Sequence, residues 1–361
     1  MSSGLINVMS PARFGRLELR TRIVMAPMTR SRATADGHVT DVMVEYYRQR
    51  AGAGMIITEG VYPSETGKGY CRTPGLVDDT QVAGWRRVTD AVHDAGGTIV
   101  MQVMHVGRIG ASANKADSAE TVAPSAITAR SKMYTDVDGG SMHPCDEPRA
   151  LDTEEIPGVV AEYARCTERA FDAGFDGVEL HGTSGYLPAQ FLSTGTNHRR
   201  DEWGGSVEGR TRFFVAVAEA MAAVDGADRV GFRVCPGNSY NDLHDDDPDE
   251  TFRTLLRALR PMGLAYCHTI RMPATGIDTE QLCRDEFGGP LIVNDSYWPD
   301  EANEAIAAGR GDAVAFGRLF ITNPDLAERI AAGADLASTD AAHIYDPGPE
   351  GYIDFPTMSS A

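Results

Sequence analysis

The sequence predicts an α/β fold: a (β/α)8 TIM barrel with an N-terminal capping segment and a long insertion after strand three. Eight short apolar runs alternate with stretches of helical periodicity, the pattern of a parallel sheet. Eight strands close such a barrel, and 361 residues hold its usual size of about 250 with room for insertions. Polar and small residues recur where the runs end, the face on which barrel enzymes build their sites. No composition shift divides the chain, so residues 1–361 read as a single domain.

In chain order, residues 1–22 form an entry segment over one end of the core, and Ile23 to Ala26, closed by Pro27, is strand one. Val42 to Arg50, with tandem tyrosines, is helical, and Met55 to Thr58 is strand two, ending in Glu59-Gly60. Val82, Trp85, Val88 and Val92 mark a helix that Gly96-Gly97 stops, and Thr98 to Val103 is strand three. The irregular stretch 109–150 is too long for a simple connection, and is expected to be either functional or a subdomain over a site. Asp152 and Glu155 resemble a capping box ahead of a helix faced by Ile156, Val159, Val160, Tyr163, Ala170 and Phe171. Phe175 to Leu180 is strand four. A helix faced by Phe213, Phe214, Val217, Met221 and Val224 follows, then strands five to eight at Val230–Val234, Ala265–Ile270, Pro290–Val293 and Ala313–Phe316. The run Asp242 to Glu250 reads as a solvated acidic loop rather than a metal loop. The tail, Tyr345 to Ala361, carries Tyr352, which is expected to fold back over a barrel end.

Composition excludes several classes of function. A formal charge of −19 opposes binding to nucleic acid or anionic membranes. No apolar run approaches the roughly 18 residues of a membrane span, and the first residues do not read as a secretory leader. Six dispersed cysteines without Cys-x-x-Cys point to reduced thiols in a cytoplasm, and no spacing supports a metal site.

Chemistry gathers at the strand ends. Pro27, Met28 and Thr29 follow strand one, Gly60 follows strand two, and Gln102 and His105 lie at strand three. His181 follows strand four, with Ser184 and Tyr186 close behind; Arg233 closes strand five, and Gly317-Arg318 strand eight. Any one of these polar groups has a plain reading as a satisfied core residue, and their recurrence on one face favours a site. The set offers donors for a ring bearing several carbonyls and an arginine beside a glycine for a phosphate, which fits a flavin mononucleotide (FMN). No Gly-x-Gly-x-x-Gly follows the first strand, so a Rossmann site is unsupported.

From Pro11 to Pro356 the chain resembles the Old Yellow Enzyme family of flavin-dependent ene-reductases. The matches are collinear: Ala26-Pro27-Met28-Thr29-Arg30, Gln102 with His105-Val106-Gly107-Arg108, Glu179-Leu180-His181-Gly182 through Tyr186-Leu187, Ala315-Phe316-Gly317-Arg318 and Glu350-Gly351-Tyr352. The resemblance implies FMN across the barrel mouth, held by Pro27, Met28, Thr29, Gly60, Gln102, Arg233, Ser296, Gly317 and Arg318. It implies NADPH or NADH as transient reductant and a small-molecule enone as substrate, with the chain a monomer or homodimer. His181 and Ser184 would hold the carbonyl oxygen, Tyr186 would protonate the α-carbon, and Tyr70, Met104 and Tyr352 would line the pocket. Three positions depart from the family. Ser184 stands where asparagine or a second histidine is usual, Met104 where tryptophan is common, and Asp295 where glycine is general. They keep two alternatives open: a flavin-dependent desaturase or redox-neutral isomerase, and a barrel that has lost its flavin.

Overall fold

A computed structural model describes residues 6–116, 119–338 and 342–358. The first five residues of the entry segment, Asp117 and Ser118 of the insertion, and the last three residues of the tail lie outside the described residues.

Eight parallel strands close a barrel in sequence order. They are β1 (Ile23–Met25), β2 (Met55–Val61), β3 (Ile99–Val103), β4 (Gly177–His181), β5 (Val230–Val234), β6 (Tyr266–Ile270), β7 (Leu291–Asn294) and β8 (Ala313–Phe316). Most are buried on both faces, as expected of a sheet wrapped in helices. β5 and β8 keep the bounds read from the sequence and the other six shift at their ends, β2 the most: it runs on to Val61, because a bulge between Ile57 and Gly60 carries pairing past Thr58.

The outer helices are α1 (Asp41–Gln49), α2 (Asp79–Asp94), α3 (Ile156–Asp172), α4 (Val207–Asp225), α5 (Pro248–Leu259), α6 (Thr279–Glu286), α7 (Pro299–Ala307) and α8 (Leu326–Ala332). Asp78, Ser206, Asp247 and Asp278 cap four of them by accepting a backbone N–H two or three residues into the helix. Only half of the expected capping box forms at α3. Glu155 itself takes the N-cap place, where its carboxylate accepts from the Asp152 N–H at 2.7 Å and pairs with Arg149 at 2.8 Å.

The entry segment closes the far end of the barrel. Ala12–Phe14 and Leu17–Leu19 pair as a hairpin, and Phe14, Leu17 and Leu19 pack with Val24, Met55, Val100 and Tyr266 from the barrel strands. At the opposite end the insertion folds as an antiparallel hairpin, Lys132–Thr135 with Ser141–Pro144, and a short parallel pair, Val122–Ala123 with Arg149–Ala150. Met133 and Cys145 of this insertion pack with Met104, Val106 and Tyr186.

Two loops are more ordered than the sequence implied. In the acidic run, Asp242 pairs with Arg130 at 2.8 Å and with buried Arg108 at 3.5 Å, so the loop is in part a clasp on the insertion. The tail is held by two arginines that follow Thr29. Arg30 donates to the carbonyls of Ile344 and Gly351, and Arg32 to those of His343, Ile344 and Glu350. Tyr352 stacks on Tyr46 with ring centroids 4.0 Å apart and is fully buried.

Candidate active site

Strand register places the polar groups in rows across the barrel mouth. Gly60 on β2 is level with Gln102 on β3, and Gln102 with Glu179 on β4. One step further along, His181 is level with Arg233 on β5, and Arg233 with His268 on β6. Residues two apart on a strand share a face, so Glu179 and His181 point the same way.

These side chains form one buried network. Gln102 Nε2 donates to Glu179 Oε1 at 2.7 Å, and His268 Nδ1 lies 2.9 Å from Glu179 Oε2. Burial alone would raise the Glu179 carboxyl, but His268, Arg233 and Gln102 more than offset it and hold it below the usual carboxylate range. Arg233 donates to Asn294 Oδ1 at 2.6 Å, and Asn294 donates onward to the Ala315 carbonyl at 2.7 Å. Arg233 Nε is buried without a protein partner. His105 stands outside this network as a core group: its Nδ1 accepts from the Gly107 N–H at 3.1 Å, its Nε2 lies 3.3 Å from Thr66 Oγ1, and burial holds its pKa at about 3.

The turn after β4 is built on local necessity. A Cβ at Gly182 would lie 2.0 Å from the Phe214 ring, so only glycine fits there. Ser184 and Gly185 then adopt φ values of +59° and +80°, reversing the chain into the short helix Leu187–Leu192. Gln190 of that helix donates to the carbonyls of Val106 and Gly185 and accepts from the Arg108 N–H, pinning the turn to the segment that follows β3. This brings the His181 and Tyr186 rings to 4.9 Å at 84°. His181 Nδ1 accepts from the Thr183 N–H at 3.4 Å, which leaves the ring proton on Nε2. Burial, with the charge of Arg233, keeps the imidazole neutral. Burial pushes the Tyr186 phenol well above its ordinary value, and its hydroxyl lies 2.9 Å from that of Tyr70.

Two cavities open here. One, of about 530 Å³, is lined by Pro27, Met28, Arg233, Asp295, Gly317 and Arg318, among others. The second, of about 760 Å³, begins at the next residue of the chain, Thr29, and reaches Tyr70 and Tyr186. Its rim carries the exposed side chains of Tyr134, Met142, Tyr240 and Tyr345.

Of the residues singled out in the sequence, Pro27, Met28, Arg233, Ser296, Gly317 and Arg318 line the first cavity, and Thr29, Tyr70 and Tyr186 the second. Gln102 and His181 line neither cavity: Gln102 is bonded to Glu179, and His181 lies level with Arg233 on the neighbouring strand. Gly60 backs Met104: a Cβ there would lie 2.6 Å from the Met104 sulfur. Ser184 is half-buried, with its carbonyl accepting from Asn241. Tyr352 is not brought to either lining, because stacking on Tyr46 and the guanidinium of Arg32, 4.9 Å from its ring, holds it in the core. Glu179, His268, Asn294 and Asn241 were missed as site residues. Alternation along β4 from His181 would have found Glu179, and the same alternation on β6 and β7 the next two.

FMN fits this donor set at its ring end. Arg233 has a buried N–H without a protein partner, beside a cavity of suitable size between β1, β7 and β8. At the other end, Arg318 lies 3.4 Å from Asp295 and 3.2 Å from the Ser296 hydroxyl, with Asp295 and Ser296 at φ +85° and +58°. Asp295 therefore turns its carboxylate onto the arginine that the sequence reading assigned to the phosphate.

Comparison with known proteins agrees with this architecture. The model of the NADH:flavin oxidoreductase / NADH oxidase family matches residues 7–337. A probable flavin mononucleotide-dependent alkene reductase of Leishmania infantum is 41% identical over 365 residues, covering 99% of each chain. Morphinone reductase in complex with tetrahydroNAD superposes with a TM-score of 0.92 at 41% identity, covering 97% of each chain. An Old Yellow Enzyme homologue from Zymomonas mobilis gives a TM-score of 0.92 at 37% identity over 97% of this chain and 99% of that one. The barrel, its mouth and these near-full-length matches lead to one conclusion: the chain belongs to the NADH:flavin oxidoreductase / NADH oxidase family, and is of the Old Yellow Enzyme type.

Proposed function

We propose that this chain is an FMN-dependent ene-reductase that reduces the activated C=C bond of α,β-unsaturated carbonyl compounds, with NAD(P)H and substrate taking turns at one site. The observation that carries the reading is the pairing of a neutral imidazole with a buried phenol at the end of β4, His181 and Tyr186, beside the flavin-sized cavity.

When bound, FMN supplies the two-electron chemistry, accepting hydride equivalents from the nicotinamide and giving them to the alkene. Pro27, Met28, Gln102 and Arg233 would hold its ring, Thr29 and Gly60 its edge, and Ser296, Gly317 and Arg318 its phosphate. His181 Nε2–H, with Ser184, donates to the substrate carbonyl oxygen, where charge builds as the alkene is reduced. Tyr186 gives its proton to the α-carbon on the face of the alkene turned to it. Met104 backs the pocket behind Gly60, and the exposed ring edges of Tyr134, Tyr240 and Tyr345 favour an enone with an apolar body. A good proton donor in place favours net reduction over a redox-neutral isomerisation. The reading takes the chain as one FMN-binding domain, monomeric or homodimeric. It also takes it as cytoplasmic, which six buried, unpaired cysteines favour. No helix among the described residues is long and apolar enough to cross a membrane.

Tyr186→Phe tests the proton donor. Reoxidation of the reduced enzyme by a cyclic enone should slow by about 10²-fold, the range of general acid catalysis, while reduction by nicotinamide keeps its parental rate. Equal slowing of both half-reactions would reduce Tyr186 to a packing residue.

The phosphate end gives a second expected result. Arg318→Ala should weaken FMN retention about tenfold, by loss of a charge-assisted contact. Asp295→Gly should strengthen retention by releasing Arg318 and removing a like charge, with φ +85° suiting glycine better than aspartate. Fluorescence titration of the apoprotein with FMN reads both. Unchanged affinity in Asp295→Gly would mean that the carboxylate swings clear when phosphate binds.

A further inference from the structure

One wall of the larger cavity comes from the tail. Tyr345, Asp346 and Pro347 line it, together with Thr29 and Ser31 of the segment after β1. The three belong to a loop, residues 343–351, whose ends meet: a Cβ at Gly351 would lie 2.7 Å from the His343 Cβ. A compact loop with closed ends is frequently a functional element.

Most residues of this loop are exposed, so burial of its own side chains does not hold it. Its backbone carbonyls do. His343, Gly348 and Gly351 take φ values of +59°, +85° and +64°, which reverse the chain. Arg32, only 3% exposed, binds the loop from within. Its Nη2 donates to the carbonyls of His343 at 2.6 Å and Glu350 at 2.9 Å, its Nη1 to that of Ile344 at 2.6 Å, and its Nε to that of Gly348 at 3.3 Å. These carbonyls flank residues 345–347 on both sides, so one planar guanidinium sets the span of the cavity-lining stretch. Arg30 adds bonds to Ile344 and Gly351, and Arg72 donates to the carbonyls of Tyr345 at 3.0 Å and Ser31 at 3.2 Å. A lysine offers three donors from a single point and cannot reproduce the fork.

We propose that Arg32 is a positioning residue for substrate choice: it fixes loop 343–351 as a wall of the substrate cavity, and that wall holds the apolar body an enone carries beyond its carbonyl. This rests on the ene-reductase reading. Tyr345, 60% exposed, and Pro347 present apolar surface to a cavity that Tyr134 and Met142 of the insertion hairpin also line. Contact with such surface adds affinity when the wall is ordered before the ligand arrives, because the cost of ordering is already met. His181 and Tyr186 come from the turn after β4, and their hydrogen bonds run to Thr183 and Tyr70, not to this loop. Loosening the wall therefore weakens the hold on the body and leaves the chemistry in place.

Stopped-flow reoxidation of the FMN-loaded enzyme tests this with two probes, cyclohexenone and a derivative bearing a phenyl group remote from the alkene. Arg32→Ala should raise the half-saturating concentration of the phenyl derivative about tenfold. The limiting rates with both enones, and the half-saturating concentration of cyclohexenone, should stay parental. Limited proteolysis should cut the variant within 343–351, and Arg32→Lys should behave as Arg32→Ala does. The freed carbonyls belong mostly to exposed residues and can turn to water. Should Arg32→Ala fail to fold, Pro347→Gly, which loosens the loop from its exposed side with Arg32 in place, must give the same split. A parental half-saturating concentration for the phenyl derivative, or an equal loss with both enones, overturns the proposal; the second result would make Arg32 a support of the whole fold. A parent that neither enone reoxidises overturns the ene-reductase reading instead, and shows it before any variant is made.

Discussion

Replacing His181 by alanine should slow reoxidation of the reduced enzyme by a cyclic enone about 10²–10³-fold, equivalent to about 2.7–4 kcal/mol for the loss of one oxyanion donor. The imidazole is set for that role before substrate arrives. Burial and the neighbouring Arg233 guanidinium keep it neutral, and the Thr183 N–H on Nδ1 fixes the donor at Nε2. Such a donor gains strength as charge develops on the substrate oxygen, so its removal is felt at the transition state more than in binding. Ser184→Ala should cost less, because a hydroxyl on a short side chain reaches less far than an imidazole. Ser184→Asn should raise the rate. The backbone at φ +59° suits asparagine better than most residues, and the longer amide extends the donor toward the oxygen without new strain. Stopped-flow reoxidation across the three variants measures all of this. If Ser184→Asn lowers the rate with cyclic enones, the serine is fitted to a different substrate geometry, and the two-donor account of the oxyanion fails.

The barrel was legible because each strand is a short apolar run between breakers, so that β5 and β8 fall where the sequence places them and the others differ by a few residues at their ends. His181, Tyr186 and Arg233 were legible for the same reason: they lie at or just past the end of a strand, where period-two reasoning and the barrel's polarity together define a face. What escaped depends on contacts between distant segments. Nothing local to Asn241 shows that it will meet Ser184 and Ser131, which come from two other parts of the chain. Tyr352 was expected over a barrel end as a pocket residue. The arginines that draw the tail in, Arg30 and Arg32, are more than three hundred residues away in sequence, and with Tyr46 they hold its ring in the core instead. The acidic run was read by its charge alone, and the clasp of Asp242 on Arg108 and Arg130 exists only once the segments after β3 and β5 meet.

Arg233→Met should have the second large effect, on stability and cofactor together. The guanidinium is buried, and it helps to hold the carboxylate of Glu179, which is fully buried, in its charged form. Removing it takes a nearby positive charge away from a buried carboxylate that keeps its bonds to Gln102 and His268, at a cost below the about 3–5 kcal/mol of a directly broken buried pair. Denaturant unfolding of the FMN-free protein should therefore show a lower midpoint at neutral pH. The deficit should depend on pH in a defined direction. In the parent, Glu179 is held below the usual carboxylate range, so it contributes stability above its unfolded pKa that is lost as pH falls through its folded value. Without Arg233 that contribution shrinks, so the gap between variant and parent is widest near neutrality and narrows as pH falls below about 4. The same substitution removes the N–H that lacks a protein partner at the cavity, so FMN should also be lost on dialysis. The two readouts separate the two roles. A variant that loses FMN but unfolds with the parent would show that Glu179 is neutralised by His268 and Gln102 alone. A variant that retains FMN but unfolds early would place the flavin ring away from Arg233, and with it the proposed orientation of the cofactor across the barrel mouth would fall.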